Sequence, residues 1–182
     1  MGRLERQHLH ADNTGHLNLI DKLSAYWPLA CLVVTSGLAA LALTSGFSAP
    51  AGTSAMSGFM HAYMGVFLIV FALLKLFDLN GFRSGFAKYD LLAKANPTYG
   101  LVYPFIELGL GLTYLAFIMP DLVYVITIAV FGFGAIGVIK ALREGLNINC
   151  PCMGNILSVP LSTVTLTEDL GMVVMAGLLL AQ

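Results

Sequence analysis

Two cysteines separated by a single proline are the residues of this chain best suited to chemistry. Cys150, Pro151 and Cys152 lie in the uncharged stretch NINCPCMGN, residues 147–155, which holds two of the three cysteines. A disulfide across one intervening residue closes a small, strained ring, and strained disulfides are easily reduced. The two thiolates could instead bind a soft ion such as Cu(I) or Hg(II). In a third interpretation the stretch is only a turn that happens to contain cysteines.

A second set of candidates consists of ionisable side chains inside or at the ends of apolar segments. They are Lys75, Asp78, Glu107, Glu168 and Asp169. Ionisable groups within a membrane are costly unless they are paired or hydrated, and they commonly mark functional sites. We expect Lys75 and Glu107 to pair, because they lie at similar depths on consecutive segments. Glu168 and Asp169 have no evident cation partner in the sequence, which favours a proton or substrate route.

Three methionines and a histidine form a third candidate site. Met56, Met60 and Met64 recur every four residues, with His61 beside them. This spacing stacks the thioethers on one face of a helix. Thioether and imidazole ligands suit copper, whereas methionine is also a common packing residue.

The composition predicts that these residues belong to an integral membrane protein. Of 182 residues, 58% are hydrophobic and 10% are charged, and the mean hydropathy is +0.83. Soluble domains carry about 25% charged residues. The net charge of −1 gives no reason to expect a nucleic-acid partner. Three cysteines without zinc-binding spacing do not make a disulfide scaffold or a zinc site.

The hydropathy pattern predicts an all-α, polytopic transmembrane helical bundle of four to five spans. A spanning helix needs about 20 apolar residues. The candidate segments are 27–44, 59–79, 101–119, 121–141 and, less clearly, 160–181. The link at residues 119–121 is short enough to require a tight helical hairpin. Residues 1–26 form a polar N-terminal segment without the pattern of a signal peptide, so we expect it to be retained beside the 27–182 bundle.

The basic residues predict the orientation of the bundle. If every segment crosses, all nine lysines and arginines lie on one side: Arg3, Arg6, Lys22, Lys75, Arg83, Lys88, Lys94, Lys140 and Arg143. The loops on the opposite side carry only Asp121. Loops rich in lysine and arginine stay in the cytoplasm. We therefore predict a multi-pass protein of the bacterial inner membrane with a cytoplasmic N-terminus.

This orientation places the cysteine pair on the cytoplasmic side. Only seven residues lead from Arg143 to Cys150, and they extend about 25 Å at most. They cannot cross a hydrocarbon core of about 30 Å. A permanent structural disulfide is disfavoured in that reducing compartment. The third cysteine, Cys31, lies four residues into the first span, near the same cytoplasmic face of the membrane. It is either a packing residue or a partner of the cysteine pair.

Two blocks of sequence resemble the DoxX-like membrane proteins, particularly their MauE branch. The first is KLFDLNGFRSGFAKYDLLAKANPTYGLVYPFIELGLGLTYL, residues 75–115. The second joins the loop of Cys150 and Cys152 to Pro160-Leu161-Ser162 and to the acidic pair Glu168-Asp169. Many relatives have glycine and an aromatic residue where this chain has Pro151 and Met153. The resemblance implies a small helical bundle with a redox-associated role, which for MauE is maturation of a disulfide-rich periplasmic dehydrogenase subunit.

Three functions follow from these patterns. In the first, Cys150 and Cys152 exchange electrons or disulfides with a thioredoxin-like partner, and a quinone or a partner subunit supplies the other redox half. In the second, the chain is a soft-metal transporter or chaperone that uses the methionine face, Cys31 and the cysteine pair in succession. In the third, it is a non-catalytic subunit of a membrane complex. The lipid bilayer is a partner in all three.

Overall fold

The computed structural model describes residues 27–46, 53–96, 98–144 and 161–182, and all its regular elements are helices, as predicted. The described residues form α1 (Trp27–Gly46), α2 (Ala55–Phe77), α3 (Leu79–Phe86), α4 (Leu91–Ala95), α5 (Tyr99–Ala116), α6 (Pro120–Arg143) and α7 (Leu161–Leu180). The N-terminal segment and the loop of the cysteine pair lie outside the described residues. The all-α fold class is therefore confirmed.

Three helices are long and apolar enough to cross a membrane, namely α1, α2 and α6. The other two predicted spans, α5 and α7, have 18 and 20 residues. At 1.5 Å per residue they extend about 27 and 30 Å, close to the thickness of the hydrocarbon core. They also carry the buried carboxylates Glu107, Glu168 and Asp169, which lower their hydropathy. Their crossing stays a prediction that rests on length and packing.

Two antiparallel helix pairs, α2 with α5 and α6 with α7, form the body of the bundle. Glycines allow α2 and α5 to approach closely: a Cβ on Gly111 would lie 2.8 Å from Ile69 Cγ1 and 2.9 Å from the Gly65 carbonyl oxygen. In the second pair, a Cβ on Gly134 would lie 3.1 Å from Asp169 Oδ2. Close backbone approach at small residues is a common means of helix association in membranes.

The hairpin predicted around residue 120 is present between α5 and α6. Helix α5 ends at Ala116 and α6 begins at Pro120, which occupies the first helical position. Phe117 (φ 51°) and Met119 (φ 44°) have left-handed backbones. This conformation is unusual for residues with a side chain, and it reverses the chain within three residues.

Two short helices cover the end of the bundle where α2 and α6 end and α5 and α7 begin. Asp78 starts α3 by accepting a hydrogen bond from the Gly81 N–H at 2.9 Å. Asp90 starts α4 by accepting from the N–H groups of Leu92 and Ala93 at 2.9 and 2.8 Å. Burial raises the pKa of Asp90, and these two hydrogen bonds act in the opposite direction.

We call this end the basic end, because six described cations lie there. They are Lys75, Arg83, Lys88, Lys94, Lys140 and Arg143. At the opposite end, Asp121 is the one charged residue among those that the structure describes. The folded chain therefore keeps the charge asymmetry seen in the sequence.

Helix α1 packs loosely along the bundle. Its buried residues are Ser36 and Ala40. Leu29 and Leu32 contact the buried clusters of the bundle, and Leu29 lines a cavity beside Glu168. This contact puts the beginning of α1 at the basic end, so α1 runs antiparallel to α2.

Candidate functional site

The contact predicted between Lys75 and Glu107 is present inside the bundle. Lys75 Nζ lies 2.6 Å from both Glu107 Oε1 and Glu107 Oε2. Lys75 is 3% exposed and Glu107 is 1% exposed. The pair joins the last turn of α2 to the third turn of α5. Hydrogen bonds between two charged groups are among the strongest in proteins, so this contact fixes the two helices at the basic end.

Glu168 of α7 approaches the same ammonium group. Its Oε1 lies 3.6 Å from Lys75 Nζ. The expectation that Glu168 has no cation partner was therefore wrong, because it considered neighbours in the sequence and not the packing of α7 against α2. At 3.6 Å the contact is an ion pair rather than a hydrogen bond. Neither carboxylate oxygen of Glu168 has a hydrogen-bond partner among the described residues.

Asp169, the next residue, lines a small cavity with Glu168 and Lys75. The cavity has a volume of about 10 Å³ and is also bordered by Tyr103 and Thr165. A single water molecule needs about 10–15 Å³ and several polar partners. The cavity is therefore at the size limit for one water, in contact with three charged side chains.

Aromatic rings surround the Lys75 ammonium on its remaining sides. Its Nζ lies 5.7 Å from the ring centre of Phe71, 5.9 Å from that of Phe82 and 5.5 Å from that of Tyr103. A cation within about 6 Å of a ring face is attracted by the π electrons. The rings keep solvent away from the ammonium while they stabilise its charge.

We call Lys75, Glu107, Glu168 and Asp169 the charge cluster. Three carboxyl groups share the cluster with one ammonium group. Burial of uncompensated charge is costly, and a proton on one carboxyl group reduces the imbalance. A role of this cluster in proton transfer stays a prediction.

Asp78 is not part of the charge cluster. Its side chain accepts the Gly81 N–H and caps α3. The sequence placed Asp78 with the intramembrane charges because it lies three residues after Lys75. The structure instead places it at the boundary between two helices, where a carboxylate commonly caps the second helix.

The three methionines beside His61 differ in exposure along α2. Met56 is 66% exposed, whereas Met64 is fully buried, and the two lie about 12 Å apart along the helix. Met60 packs at the edge of the core. His61 Nδ1 lies 3.2 Å from the Tyr114 carbonyl oxygen. Both ring nitrogens of His61 take part in hydrogen bonds.

His61 Nε2 forms a short hydrogen bond with the Tyr124 hydroxyl group. The imidazole also stacks on Phe117, with ring centres 4.3 Å apart and planes 7° apart. A ring nitrogen must be unoccupied to bind a metal ion. His61 therefore holds the α5–α6 hairpin against α2, and the copper interpretation of this face stays a prediction that these contacts do not favour.

Cys31 is exposed on α1. Cys150 and Cys152 lie outside the described residues, so their chemistry stays a prediction. The ends of their loop are described: α6 ends at Arg143 and α7 begins at Leu161, both at the basic end. Glu168 lies seven residues into α7, about 10 Å from its start.

Tyr103, Tyr89 and Thr165 border the cavity of the charge cluster, but none of them was among the residues predicted from the sequence. Helical spacing contained a signal for two of them. Tyr103 precedes Glu107 by four residues and Thr165 precedes Glu168 by three, so each pair shares a helix face. Tyr89 reaches the cluster from the turn before α4, and its position depends on how that turn folds back over the bundle.

The sequence model of one protein family, described as "Methylamine utilisation protein MauE", matches residues 28–182 of the chain. The matched region contains all the helices except the first residue of α1, together with the charge cluster and the cysteine pair. No curated protein and no solved structure shows a significant match to the sequence. The family match covers most of the chain and agrees with the all-helical fold and its apolar spans. This membrane protein belongs to the MauE family.

Proposed function

We propose that the chain is a redox-associated protein of the bacterial inner membrane that supports maturation of an exported protein through thiol–disulfide exchange at Cys150 and Cys152. The family description supports a role in methylamine utilisation. The client would then be an exported, disulfide-containing enzyme of that process. A wider kinship with DoxX-like proteins, to which residues 75–115 point, is part of this proposal.

The observation that carries the proposal is the position of the end of α6 and the start of α7, the described residues on either side of the cysteine loop, relative to the charge cluster. Helices α6 and α7 pack antiparallel, and their register follows from two contacts: Gly134 with Asp169, and Gly132 with Val173. The end of α6 and the start of α7 therefore lie side by side at the basic end. The end of α6 and the start of α7 thus lie within about two to three helical turns of the charge cluster.

Thiol–disulfide exchange needs groups that take up and return protons. A thiolate of the partner attacks the Cys150–Cys152 disulfide, a mixed disulfide forms, and the partner's second thiolate displaces the chain. The partner ends with a disulfide and the chain with two thiols, so electrons and protons balance, and a quinone or a partner subunit is the oxidant that restores the Cys150–Cys152 disulfide. No basic side chain lies within six residues of the pair. Among the described carboxyl groups, Glu144 directly follows α6, and Glu168 and Asp169 lie on α7.

The proposed orientation has the basic end in the cytoplasm, since lysine- and arginine-rich ends stay on that side. The partner that meets the cysteine pair is then a cytoplasmic, thioredoxin-like protein or a neighbouring subunit of a membrane complex. The polar residues 1–26 would lie on the same side.

Cysteine variants test the proposal in cells that lack the native gene. We expect Cys150→Ser, Cys152→Ser and the double variant to lower the disulfide content and activity of the client equally, because a dithiol acts as a unit. Cys31→Ser is the matched control and should keep full function. Full function in either single variant at the pair would contradict the proposal, and would favour a non-catalytic subunit.

A further inference from the structure

The charge cluster buries more carboxyl groups than cations. The exposed fractions are 3% for Lys75, 1% for Glu107, 7% for Glu168 and 3% for Asp169. Lys75 is the one cation among the described residues that border the cavity of the cluster. If all three carboxyl groups were ionised, two negative charges would be buried in excess of the ammonium group. Uncompensated charge inside a membrane bundle is costly, so the cluster favours the uptake of a further positive charge.

The geometry of the cluster favours a proton over a metal ion as the source of that charge. Among the described residues, no group of three or more histidine, cysteine, aspartate or glutamate side chains is arranged to hold a metal ion. The position beside Glu107 and Glu168 is already held by Lys75 Nζ, 2.6 and 3.6 Å from their oxygens. The cavity of about 10 Å³ is at the size limit for one water molecule. A proton needs no additional space.

The hydrogen bonds of the cluster indicate Glu168 as the carboxyl group that carries the proton. Glu107 contacts the ammonium at 2.6 Å through both oxygens, which favours its ionised form. Glu168 lies 3.6 Å from the same ammonium, and neither of its oxygens has a hydrogen-bond partner among the described residues. An ionised carboxylate accepts hydrogen bonds at both oxygens. Burial without them costs far more free energy for a carboxylate than for a neutral carboxylic acid.

The ion pair between Glu168 and Lys75 offsets little of this cost. Lys75 carries one positive charge, and Glu107 lies closer to it than Glu168 does. Because both carboxyl groups contact the same ammonium, the negative charge of Glu107 repels an ionised Glu168. Asp169, the next residue on α7, borders the same cavity and adds to the repulsion. Lys75 therefore neutralises Glu107 and leaves little net attraction for a charge on Glu168.

Asp169 has surroundings that suit an ionised carboxylate better. It borders the cavity together with the hydroxyl-bearing side chains of Tyr89, Tyr103 and Thr165. Hydroxyl groups and a water molecule can donate hydrogen bonds to a carboxylate. Glu168 lines this cavity and also a larger, mostly apolar cavity between α1, α2 and α7. Among the described residues, α1 and α6 contribute only uncharged side chains to the two cavities.

We propose that the charge cluster is a proton-binding site in which Glu168 holds one exchangeable proton at neutral pH, beside an ionised Lys75–Glu107 pair. The proton passes between the Glu168 carboxyl group and a water molecule in the small cavity. When the proton leaves, Glu168 becomes a carboxylate that competes with Glu107 for Lys75. Proton binding thereby sets which carboxylate the ammonium compensates, and so links α2, α5 and α7. The site does not depend on the chemistry of Cys150 and Cys152.

Infrared spectroscopy of the full chain in an ester-free detergent tests the site. A carboxylic acid has a C=O stretching band that a carboxylate lacks, and exposed glutamates are ionised at about pH 7. Isotope-labelled glutamate separates the four glutamates of the chain from its aspartates. We expect one glutamic acid band at neutral pH that shifts with the label and in heavy water. The band should disappear in Glu168→Gln.

Two further variants distinguish a proton-binding site from a purely structural ion pair. Glu107→Gln removes the carboxylate that neutralises Lys75, so Glu168 should ionise and the band should be lost. Lys75→Met removes the cation, so the band should grow as Glu107 also takes up a proton. Glu144→Gln changes an exposed glutamate that follows α6, and as the matched control it should leave the band unchanged.

Several results would overturn the proposal. They are the absence of a glutamic acid band in the unmodified chain, a band that persists in Glu168→Gln, a band unchanged in Glu107→Gln, and a band that does not shift in heavy water. A band present in choline chloride but lost in sodium chloride would also overturn it, because a metal ion would then take the site. The first measurement uses the unmodified chain, so it decides the question even if a variant fails to fold. The Cys150→Ser/Cys152→Ser variant should keep the band, which separates failure of this site from failure of the dithiol.

Discussion

Lys75 Nζ lies 2.6 Å from both carboxylate oxygens of Glu107, and it joins two helices inside the bundle, where a single unpaired charge would be costly. The same ammonium lies 3.6 Å from Glu168 of α7. Lys75 is thus the common partner of α5 and α7. Loss of Lys75 therefore removes the cation from both carboxylates, whereas loss of either carboxylate leaves Lys75 with the other.

We expect Lys75→Met to destabilise the bundle by about 3–5 kcal/mol, because it leaves buried carboxylates without their cation. Glu107→Gln should cost less, since Lys75 keeps Glu168 as a partner. The double variant should cost less than the sum of the two single variants. Thermal unfolding in detergent measures all three, with the exposed Lys140→Met as control. Strictly additive losses would contradict the shared role of Lys75.

Close packing of α2 and α5 predicts that alanine substitution of two nearby glycines will change stability by different amounts. A Cβ on Gly111 would lie 2.9 Å from the Gly65 carbonyl oxygen and 3.0 Å from the Ile69 nitrogen, whereas a Cβ on Gly109 would meet nothing within 4 Å. Gly111→Ala should therefore destabilise the chain by about 1–3 kcal/mol. Gly109→Ala should leave stability unchanged or raise it slightly. Equal melting temperatures for both variants would show that the helices are not in this contact.

The raised pKa of Asp90 predicts that its contribution to stability depends on pH. Burial raises its pKa above the usual 3.8, so the folded state binds the proton more tightly than the unfolded state. Its contribution is then largest below pH 3.8 and falls as pH rises through the raised folded pKa. Asp90→Asn keeps a capping oxygen for α4 and should remove this slope, whereas Asp90→Ala should remove the slope and also lose the cap, which costs about 1 kcal/mol. Unfolding curves between pH 4 and 8 measure both effects, and an unchanged slope in Asp90→Asn would contradict this assignment.

The hydrogen bond from Tyr124 to His61 predicts a structural role for the histidine. Tyr124→Phe leaves a buried imidazole nitrogen without its partner and should cost about 1–3 kcal/mol. Tyr63→Phe is the control. Among the described residues, Tyr63 makes ring contacts and its hydroxyl group makes no hydrogen bond. Copper content of the purified protein should be the same in His61→Gln and the unmodified chain. A drop in copper in that variant would restore the metal-binding interpretation.

Contacts between consecutive spans could be predicted from the sequence, because short connections fix how neighbouring helices align. The Lys75–Glu107 contact followed from similar depth on α2 and α5, and the hairpin before α6 followed from the short link at residues 119–121. The contact of Glu168 with Lys75 could not be predicted in this way. It depends on the packing of α7 beside α2, which are far apart in the sequence.

The same limit applies to residues whose role depends on what lies across from them. Helical periodicity placed Met56, Met60 and Met64 on one face of α2, but only packing shows that one end of this face is exposed and the other buried. His61 looked like a ligand beside those methionines until its contacts with Tyr124 and Phe117 were known. Hydropathy identifies spans, whereas side-chain partners come from the arrangement of the helices.

The central claim is that Cys150 and Cys152 form a labile dithiol at the cytoplasmic face, and sided thiol labelling tests it most directly. The Cys31→Ser variant is treated with a membrane-impermeant maleimide in inside-out and right-side-out vesicles, with and without prior reduction. We expect labelling of Cys150 and Cys152 only in inside-out vesicles, with more labelling after mild reductant, because a strained disulfide is easily reduced. Labelling from the periplasmic side, or labelling that reductant does not change, would contradict the account.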